Sequence, residues 1–374
     1  MIYVDISAAV HSRAGLGRYC ERVALNVAQQ LPQRTTLFYN QGAGGKLPTS
    51  LQHLPYTRVK AGYKPWRMSV LMAHHARLGF NRLVPDAELF HSTEHLLFPL
   101  RNVPTVLTIH DLIFKLFPEH HKRLNYWFLN WAVPIFAQRA SHIIAVSEAS
   151  KRDVVREYGI DPAKITVVYE AADSNFRPPS QQQIEQVRQK YALPDEFLLH
   201  LSTIEPRKNL SRLVDALKIV RRVRPNLQLR LVGSKGWLYD DFFAKLEREN
   251  LQQIVQPLGW VPDEDLPAVI AAANLAVQPS LYEGFGLPIL EHMGSGQVVA
   301  ASNAASHPEV GGEAAAYFDP HNVEEMASVI GRILQSPDEY QHRRQLGIQQ
   351  AAQFSWQRTA RETIAIYDKL LARQ

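Results

Sequence analysis

The sequence predicts an α/β protein of two domains, each built on an open parallel sheet. Three observations support this prediction. The chain has 374 residues, which is more than one ordinary hydrophobic core accommodates. In both halves short apolar segments alternate with amphipathic helical segments, which is the pattern of parallel strands joined by crossover helices. Between the two series, residues 176–183 form a polar, proline-containing stretch that is typical of a linker.

The first series predicts an N-terminal domain over residues 1–178. Apolar runs of strand length alternate there with segments whose apolar residues recur at helical spacing. The predicted strands are 2–6, 36–39, 89–91, 105–109, 142–146 and 165–169. The predicted helices are 17–31, 67–83, 122–139 and 148–158, the third of them starting at Lys122.

The second series predicts a C-terminal domain over residues 190–353. A last helix, expected over residues 357–374, follows it. Open α/β sheets bind ligands at the carboxyl ends of their strands, so we expect a ligand cleft at those ends. The predicted strands are 197–201, 229–232, 254–258, 275–278, 298–301 and 315–318.

Composition fits a soluble globular enzyme, with 46% hydrophobic and 21% charged residues. Cys20 is the only cysteine, which excludes an internal disulfide and predicts a reducing compartment. No apolar run reaches the length of a membrane span, and the first residues lack the features of a signal peptide. We therefore expect a cytoplasmic protein.

The net charge of +5 is unevenly distributed. Residues 1–180 carry 21 Lys and Arg against 13 Asp and Glu, whereas the remainder carries 20 against 23. A basic first half favours an acidic partner surface, although chance variation explains the imbalance equally well. No nucleic-acid-binding motif accompanies it, and neither half has the complete Gly-x-Gly-x-x-Gly of a dehydrogenase, so both classes are disfavoured.

The segment Glu283-Gly-Phe-Gly-Leu-Pro-Ile-Leu-Glu291 is the most informative motif. Pro288 suits a first helical position, which places a glycine-rich turn at a helix N-terminus, a favourable site for a phosphate. The flanking carboxylates can accept hydrogen bonds from sugar hydroxyls. A nucleotide sugar satisfies both requirements, and its predicted contacts in the turn are Gly284, Phe285, Gly286 and Leu287.

A second basic motif follows the first predicted strand of the C-terminal domain. Arg207 and Lys208 lie on a strand-to-helix loop, from which two cations can neutralise a departing diphosphate. The alternative is a solvated basic turn capped by Asn209. The Arg207–Lys208 loop follows a strand, in register with the Glu283 motif, and this position favours the functional interpretation.

Asp263 and Asp265 form an Asp-x-Asp pattern that could suggest a divalent metal. Asp263 follows a proline and precedes the helical run 266–273, so we interpret it as a helix cap with further acids in the first turn. We expect neither a metal nor another cofactor.

These motifs resemble those of the family 4 retaining glycosyltransferases. Residues 280–291 are similar to the Glu-(seven residues)-Glu motif of that family, and Glu205-Pro-Arg-Lys-Asn209 is similar to its donor-phosphate loop. The resemblance extends from Gly15 to about Pro320 and is strongest over residues 199–320. Glu170 departs from it, since asparagine is common at that position.

Two further departures follow the second glutamate of the motif. His292 and Gln297 replace the small residue and the proline that are usual there. Both departures put local packing in doubt, and the choice of sugar with it, but not the class of enzyme.

The resemblance implies the GT-B fold, in which two Rossmann-like domains face each other across a cleft and the C-terminal helix returns to the N-terminal domain. It implies a retaining hexosyltransferase in which the departing phosphate accepts the proton of the incoming hydroxyl. Arg207 and Lys208 then bind the donor phosphates, Glu283 the sugar and Glu291 the ribose. A GDP-sugar such as GDP-mannose, used in cell-surface polysaccharide assembly, is the implied donor.

The resemblance also adds residues that the spacing alone supports weakly. Gly15 and Gly17 form a plain Gly-x-Gly that follows the first strand and opens a helix, which a strand-to-helix turn explains equally well. The resemblance implies a glycine-rich loop here that faces the donor phosphates and the acceptor. His110 is expected to face the donor sugar, and Asp111 the acceptor. Against the nucleotide base we expect Gly233 and the backbone of Val261.

Two segments of the N-terminal domain mix cations with aromatic residues. Residues 60–67 and 114–131 suit a lipid headgroup region, which suggests a lipid-linked sugar acceptor at an acidic membrane face. The alternative, which we favour for Trp127, Phe128 and Trp131, is an ordinary helix that buries these three residues in the core.

Other activities remain compatible with two α/β domains. A sugar-nucleotide epimerase or a sugar phosphorylase is the alternative enzyme, and an epimerase would need no acceptor. An inactive nucleotide-sugar-binding module is the non-enzyme alternative. The presence of both glutamates of the motif, with both cations, argues against the inactive module.

Overall fold

The computed structural model describes residues 1–11, 14–42, 44–120 and 123–373. The chain divides into two compact units. The first comprises Met1–Glu170 and Ser355–Gln374, and the second comprises Ala171–Phe354. Each unit has its own parallel sheet and its own hydrophobic core.

The sheet of the first unit consists of β1 (Ile2–Asp5), β2 (Thr35–Asn40), β3 (Tyr56–Val59), β4 (Leu89–Ser92), β5 (Thr105–Ile109), β6 (His142–Ala145) and β7 (Ile165–Val167). All neighbours are parallel, in the order β3-β2-β1-β4-β5-β6-β7. The six predicted strands are confirmed. The sequence missed β3 because this edge strand is half-exposed and therefore lacks a buried apolar run.

The described helices of the first unit before residue 170 are α1 (Ser7–Val10), α2 (Ala14–Gln30), α3 (Tyr63–His75), α4 (Ile113–Leu116), α5 (Arg123–Arg139) and α6 (Glu148–Tyr158). The predicted helix 67–83 is wrong in its extent. The helix starts earlier, at Tyr63, and ends earlier, at His75. It ends there because Arg77 adopts a left-handed φ of 54°, which an α-helix does not accommodate. The predicted start of α5 at Lys122 lies outside the described residues.

The second unit contains six parallel strands in the order β10-β9-β8-β11-β12-β13, all close to the predicted positions. They are β8 (Phe197–Leu201), β9 (Gln228–Val232), β10 (Val255–Gly259), β11 (Leu275–Gln278), β12 (Val299–Ser302) and β13 (Ala316–Phe318). The described α-helices of the second unit are α7 (Gln181–Lys190), α8 (Leu210–Val220), α9 (Asp240–Arg248), α10 (Leu266–Ala272), α11 (Leu287–Gly294), α12 (His307–Gly311), α13 (Val323–Gln335) and α14 (Pro337–Ala351).

The stretch 176–183 is part of the second unit and not a free linker. Phe176 is buried in a core cluster with Val187 and Phe197. Ser180 caps the start of α7 in a capping box, in which the Ser180 N–H donates a hydrogen bond to Gln183 Oε1. The second unit consequently begins before the predicted boundary at residue 178.

The last helix, α15 (Trp356–Leu371), packs in the first unit. Tyr367 Oη lies 2.6 Å from Nδ1 of the buried His91, and the Trp356 ring meets the edge of the Tyr19 ring. This is the return of the chain that the GT-B resemblance implies. Gln374, the last residue of the predicted helix, lies outside the described residues. No helix in the described ranges is long and apolar enough to cross a bilayer.

Candidate active site

The loop between β11 and α11 forms one side of the candidate site. Gly286 precedes α11 with a φ of +104°, a conformation that residues with a Cβ rarely adopt. A Cβ at this position would lie 3.1 Å from Cδ2 of the His307 ring. Ser306 Oγ donates to the carbonyl oxygen of Phe285 at 2.6 Å. Glycine therefore allows the turn to approach the start of α12 closely.

The loop after β8 forms the opposite side of the same site. It ends in a single 3₁₀ turn, Pro206–Lys208, and Asn209 then adopts a left-handed φ of 59° before α8. The Asn209 amide donates to the carbonyl oxygens of Pro279 at 3.0 Å and Pro320 at 2.7 Å. Asn209 therefore joins three loops at the carboxyl end of the sheet and does not cap α8 with its side chain.

Both cations of this loop converge on one carboxylate. Arg207 Nη1 lies 2.6 Å from Glu283 Oε2, and Lys208 Nζ lies 2.6 Å from Glu283 Oε1. Ser280 Oγ donates to the same Oε1 at 2.7 Å, and Arg207 Nη2 pairs with Glu205. The solvated basic turn, which was the alternative interpretation, is therefore wrong: these cations lie against the Glu283 turn.

The electrostatics of the cluster hold Glu283 charged. Burial alone would raise the pKa of the Glu283 carboxyl, but the charges of Arg207 and Lys208 outweigh burial and hold that pKa far below its usual range. Burial and the Arg207 charge together lower the pKa of Lys208. An anionic ligand at this site must share cations that Glu283 already binds.

His307 adds an imidazole that the sequence reasoning did not identify. Ser302 Oγ donates to the carbonyl oxygen of Ser280 at 2.7 Å, so it accepts from His307 Nδ1, which lies 2.9 Å away. This assigns the proton to Nδ1 and leaves a lone pair on Nε2, to which no described residue hydrogen bonds. Burial lowers the pKa of His307 to about 4, so the ring is neutral at pH 7.

Other residues of the second unit that are predicted to bind the nucleotide-sugar donor occupy less accessible positions. Glu291 is buried on α11, and Pro288 takes the second helical position rather than the predicted first. Gly233 has a φ of +131°, and a Cβ there would lie 2.1 Å from the carbonyl oxygen of Ser202. The Val261 side chain is buried in the core, which leaves only its backbone for ligand contact.

In the first unit, both ring nitrogens of His110 have partners. Nε2 lies 3.0 Å from the carbonyl oxygen of Thr93, and Nδ1 lies 3.1 Å from Glu170 Oε1. Burial opposes the charged ring, but Glu170 outweighs burial and raises the pKa of His110. Asp111 Oδ1 accepts from the N–H of Ile113 at 3.0 Å. A sugar contact through the His110 ring would require one of its present bonds to break.

The Gly-x-Gly prediction needs correction. Gly15 and Gly17 lie in the first turns of α2, so they open a helix as predicted but do not lie in the loop that the resemblance implies. A Cβ on Gly17 would lie 3.1 Å from the carbonyl oxygen of Ala8, whereas one on Gly15 would meet nothing within 4 Å. Gly17 is therefore explained by the close packing of α2 on α1.

The helix cap assigned to Asp263 also needs correction. Asp265, and not Asp263, precedes α10, and its Oδ2 accepts from Lys190 Nζ and Tyr191 Oη, both at 2.6 Å. Among the described residues, no three His, Cys, Asp or Glu side chains form a group that could hold a metal ion. That the reaction requires no metal stays a prediction.

Two family descriptions match the sequence. Residues 183–351 match "Glycosyl transferases group 1", and residues 20–176 match "Glycosyltransferase Family 4". O-antigen chain mannosyltransferase B of Escherichia coli is 36% identical over 73% of this chain and 72% of that protein. The serotype-specific mannosyltransferase WbdA of the same species is 32% identical over 73% of this chain, but over only 34% of WbdA.

Several solved structures share the fold over nearly the whole chain. HepE of Anabaena, in complex with UDP and glucose, has a TM-score of 0.75 at 22% identity, covering 98% of this chain and 99% of HepE. Sucrose-phosphate synthase of Thermosynechococcus elongatus has a TM-score of 0.80 at 19% identity, covering 100% and 99%. These similarities confirm the predicted class of two Rossmann-like domains, whereas a cleft between facing domains stays a prediction.

Proposed function

Because the chain belongs to glycosyltransferase family 4, we propose that it transfers mannose from GDP-mannose to a glycan or lipid-linked acceptor in the assembly of a cell-surface polysaccharide. The names of its relatives support the sugar and the product class. The main support is the convergence of Arg207 and Lys208 on Glu283, which lies on the loop that leads into α11.

This arrangement suits a nucleotide sugar for an electrostatic reason. The first-turn N–H groups of a helix lack intrahelical acceptors and attract phosphate. Arg207 and Lys208 pair with Glu283 on the loop that leads into α11, and they can transfer their hydrogen bonds from Glu283 to the diphosphate of the donor. Glu283 then becomes available to accept hydrogen bonds from the sugar, and Glu291 from the ribose.

His307 is assigned a role on the sugar side. Its Nε2 lies 3.6 Å from the position of a Cβ on Gly286, and it carries the lone pair of a neutral ring. Such an atom accepts a hydrogen bond from a hydroxyl but repels an anionic phosphate oxygen. We therefore assign His307 to a hydroxyl of the transferred sugar.

In the proposed reaction the anomeric configuration is retained. The bond from the anomeric carbon to the diphosphate breaks, and the acceptor oxygen attacks on the same face. The acceptor proton passes to the departing phosphate, whose new charge Arg207 and Lys208 stabilise. We also propose donor or acceptor contacts for His110, Asp111, Gly15 and Gly17 of the first unit, and a reaction that requires no metal ion.

Thermal stabilisation by a panel of nucleotide sugars tests the donor assignment, because a ligand that binds only the folded state raises the unfolding temperature with its concentration. We expect GDP-mannose and GDP to stabilise the protein, and UDP-glucose to have little effect. Stabilisation by UDP-sugars alone would contradict the assigned base. Stabilisation by no nucleotide at all would contradict the donor site.

Acceptor dependence separates the alternative functions. A transferase releases GDP only when an acceptor is present. An epimerase converts the sugar nucleotide without one. An inactive binding module is stabilised by the donor but releases no GDP with any glycan or lipid-linked acceptor. The proposed location is the cytoplasmic face of a membrane, where a lipid-linked acceptor is accessible.

A further inference from the structure

Two helices of the first unit expose large apolar side chains. On α3, Met68 and Met72 are exposed and lie one turn apart. On α5, Leu124, Trp127 and Trp131 are 78%, 68% and 53% exposed. Their spacing of three and four residues places these three on one face of α5. The expectation that a core buries both tryptophans is therefore wrong.

The two exposed faces adjoin each other. Arg67 Nη1 on α3 donates to Asn125 Oδ1 on α5 at 2.9 Å, and its guanidinium lies 3.8 Å from the centre of the Phe128 ring. Further along, the rings of His75 and Trp131 are 5.2 Å apart. Met68, Met72, Leu124, Trp127 and Trp131 thus belong to one surface, which we call the α3–α5 surface.

The Lys, Arg, Asp and Glu residues of these two helices are all of one sign. Neither α3 nor α5 contains an Asp or a Glu, although the whole chain has 36 of them. Lys64 and Arg67 lie on α3, Arg123 starts α5, and Arg77 follows α3. The nearest acidic residues along the chain are Asp86 after α3 and Glu119 before α5. Large apolar side chains exposed side by side in this way are uncommon in monomeric proteins and mark an interaction site.

We propose that the α3–α5 surface docks the first unit onto an anionic lipid bilayer. Tryptophan together with Lys and Arg is characteristic of the membrane interface, where the rings lie at headgroup level and the cations meet anionic lipid. Protein–protein interfaces, in contrast, are depleted in lysine. A two-fold dimer through this surface would place its cations opposite each other. The inference concerns the first unit alone and does not depend on the donor chemistry.

Vesicle flotation of the full chain at low salt tests the proposal. We expect the protein to float with vesicles of phosphatidylcholine containing phosphatidylglycerol, and to remain at the bottom with phosphatidylcholine alone. Each cation at the surface contributes about fivefold to the partition coefficient, so added salt should release the protein. Brominated anionic lipid should quench its tryptophan fluorescence.

Substitutions on the α3–α5 surface test whether this surface is the part of the protein that contacts the bilayer. Leu124→Ser and Trp127→Ser should each lower the partition coefficient about tenfold or more, because each removes a large apolar group from the interface. Val223→Ser is the matched control, since Val223 is 69% exposed but lies in the second unit. Its binding should equal that of the wild type, and unchanged thermal unfolding of all three variants shows that the fold is intact.

Three results would overturn the proposal. The first is a wild-type protein that does not float with anionic vesicles at low salt. The second is equal binding by Trp127→Ser and the wild type. The third is a stable oligomer in size-exclusion chromatography that Trp127→Ser dissociates, since this would show that another copy of the chain covers the surface.

Discussion

Lys208 Nζ and Glu283 Oε1 lie 2.6 Å apart in the second unit, with only 9% and 13% of their side chains exposed. Two loops that are 75 residues apart in sequence supply this pair. Arg207 binds the other carboxylate oxygen, so one carboxylate contacts both cations, while Glu205 also pairs with Arg207. Both cations are thus held at the Glu283 loop before a donor arrives, and the donor diphosphate has to displace Glu283 from them.

Lys208→Ala tests the role of this cluster in turnover. Removing one preorganised donor to a developing oxyanion lowers turnover about 100- to 1,000-fold, and we expect a loss of that size. Lys190→Ala is the control, because Lys190 forms an ion pair of the same length with Asp265 in the same unit, but at an exposed position. Turnover of Lys208→Ala within a few-fold of the Lys190→Ala value would contradict the assigned role.

Gly286→Ala tests the conformation of the turn. Because Gly286 has a φ of +104° and its missing side chain points to His307, alanine should lower the free energy of unfolding by about 1–3 kcal/mol. Gly331→Ala is the matched control: Gly331 lies inside α13 with nothing near its Cβ position, so alanine there should stabilise by about 0.5–1 kcal/mol. Urea titration measures the free energy of unfolding of both variants. An equal change in this free energy for Gly286→Ala and Gly331→Ala would exclude strain at Gly286.

His307→Leu separates a sugar contact from a phosphate contact. If Nε2 accepts a hydrogen bond from the sugar, the variant should bind GDP-mannose about tenfold more weakly and GDP with unchanged affinity. Isothermal titration calorimetry with both ligands measures this difference. An equal loss for GDP would assign His307 to the diphosphate instead, and no loss for either ligand would remove it from the site.

Glu170→Gln tests the buried pair with His110. Glu170 raises the pKa of His110, so the folded state binds this proton more tightly than the unfolded state, whose histidine pKa is about 6.5. The stabilisation is therefore complete below pH ~6.5 and disappears as the pH rises through the elevated folded pKa. The difference in unfolding free energy between wild type and Glu170→Gln should be larger at pH 6 than at pH 9, as urea titrations at both values would show. A difference independent of pH would mean that the pair is a neutral hydrogen bond.

Much of the fold follows from the sequence, because buried parallel strands are continuous apolar runs. The exception, β3, is an edge strand, and its half-exposed residues give no such run. Helix ends were less predictable. Nothing in the sequence marks Arg77 as left-handed, yet its left-handed backbone ends α3 two residues earlier, at His75. Periodicity also failed for Trp127 and Trp131, because an apolar face has the same spacing whether a core or another surface covers it.

The sequence predicted which charged residues form the candidate site, but not which side chains pair with each other there. Arg207, Lys208 and Glu283 each follow a buried strand, and parallel strands bring such loops to one edge of the sheet. The proton assignment on His307 depends on Ser302 and Ser280, which approach it only in the folded chain. Gly15 and Gly17 open a helix, as their place after a strand predicts, whereas the loop that the resemblance implies does not form at these residues. Gly17 packs closely against a neighbouring helix.

A crystal structure of the protein with bound GDP would show whether Arg207 and Lys208 bind the diphosphate. We expect the terminal phosphate to lie within hydrogen-bond distance of Arg207 and Lys208 and at the first turn of α11, with the Lys208–Glu283 pair lengthened or broken. A nucleotide bound elsewhere, with both cations still closed on Glu283, would contradict it.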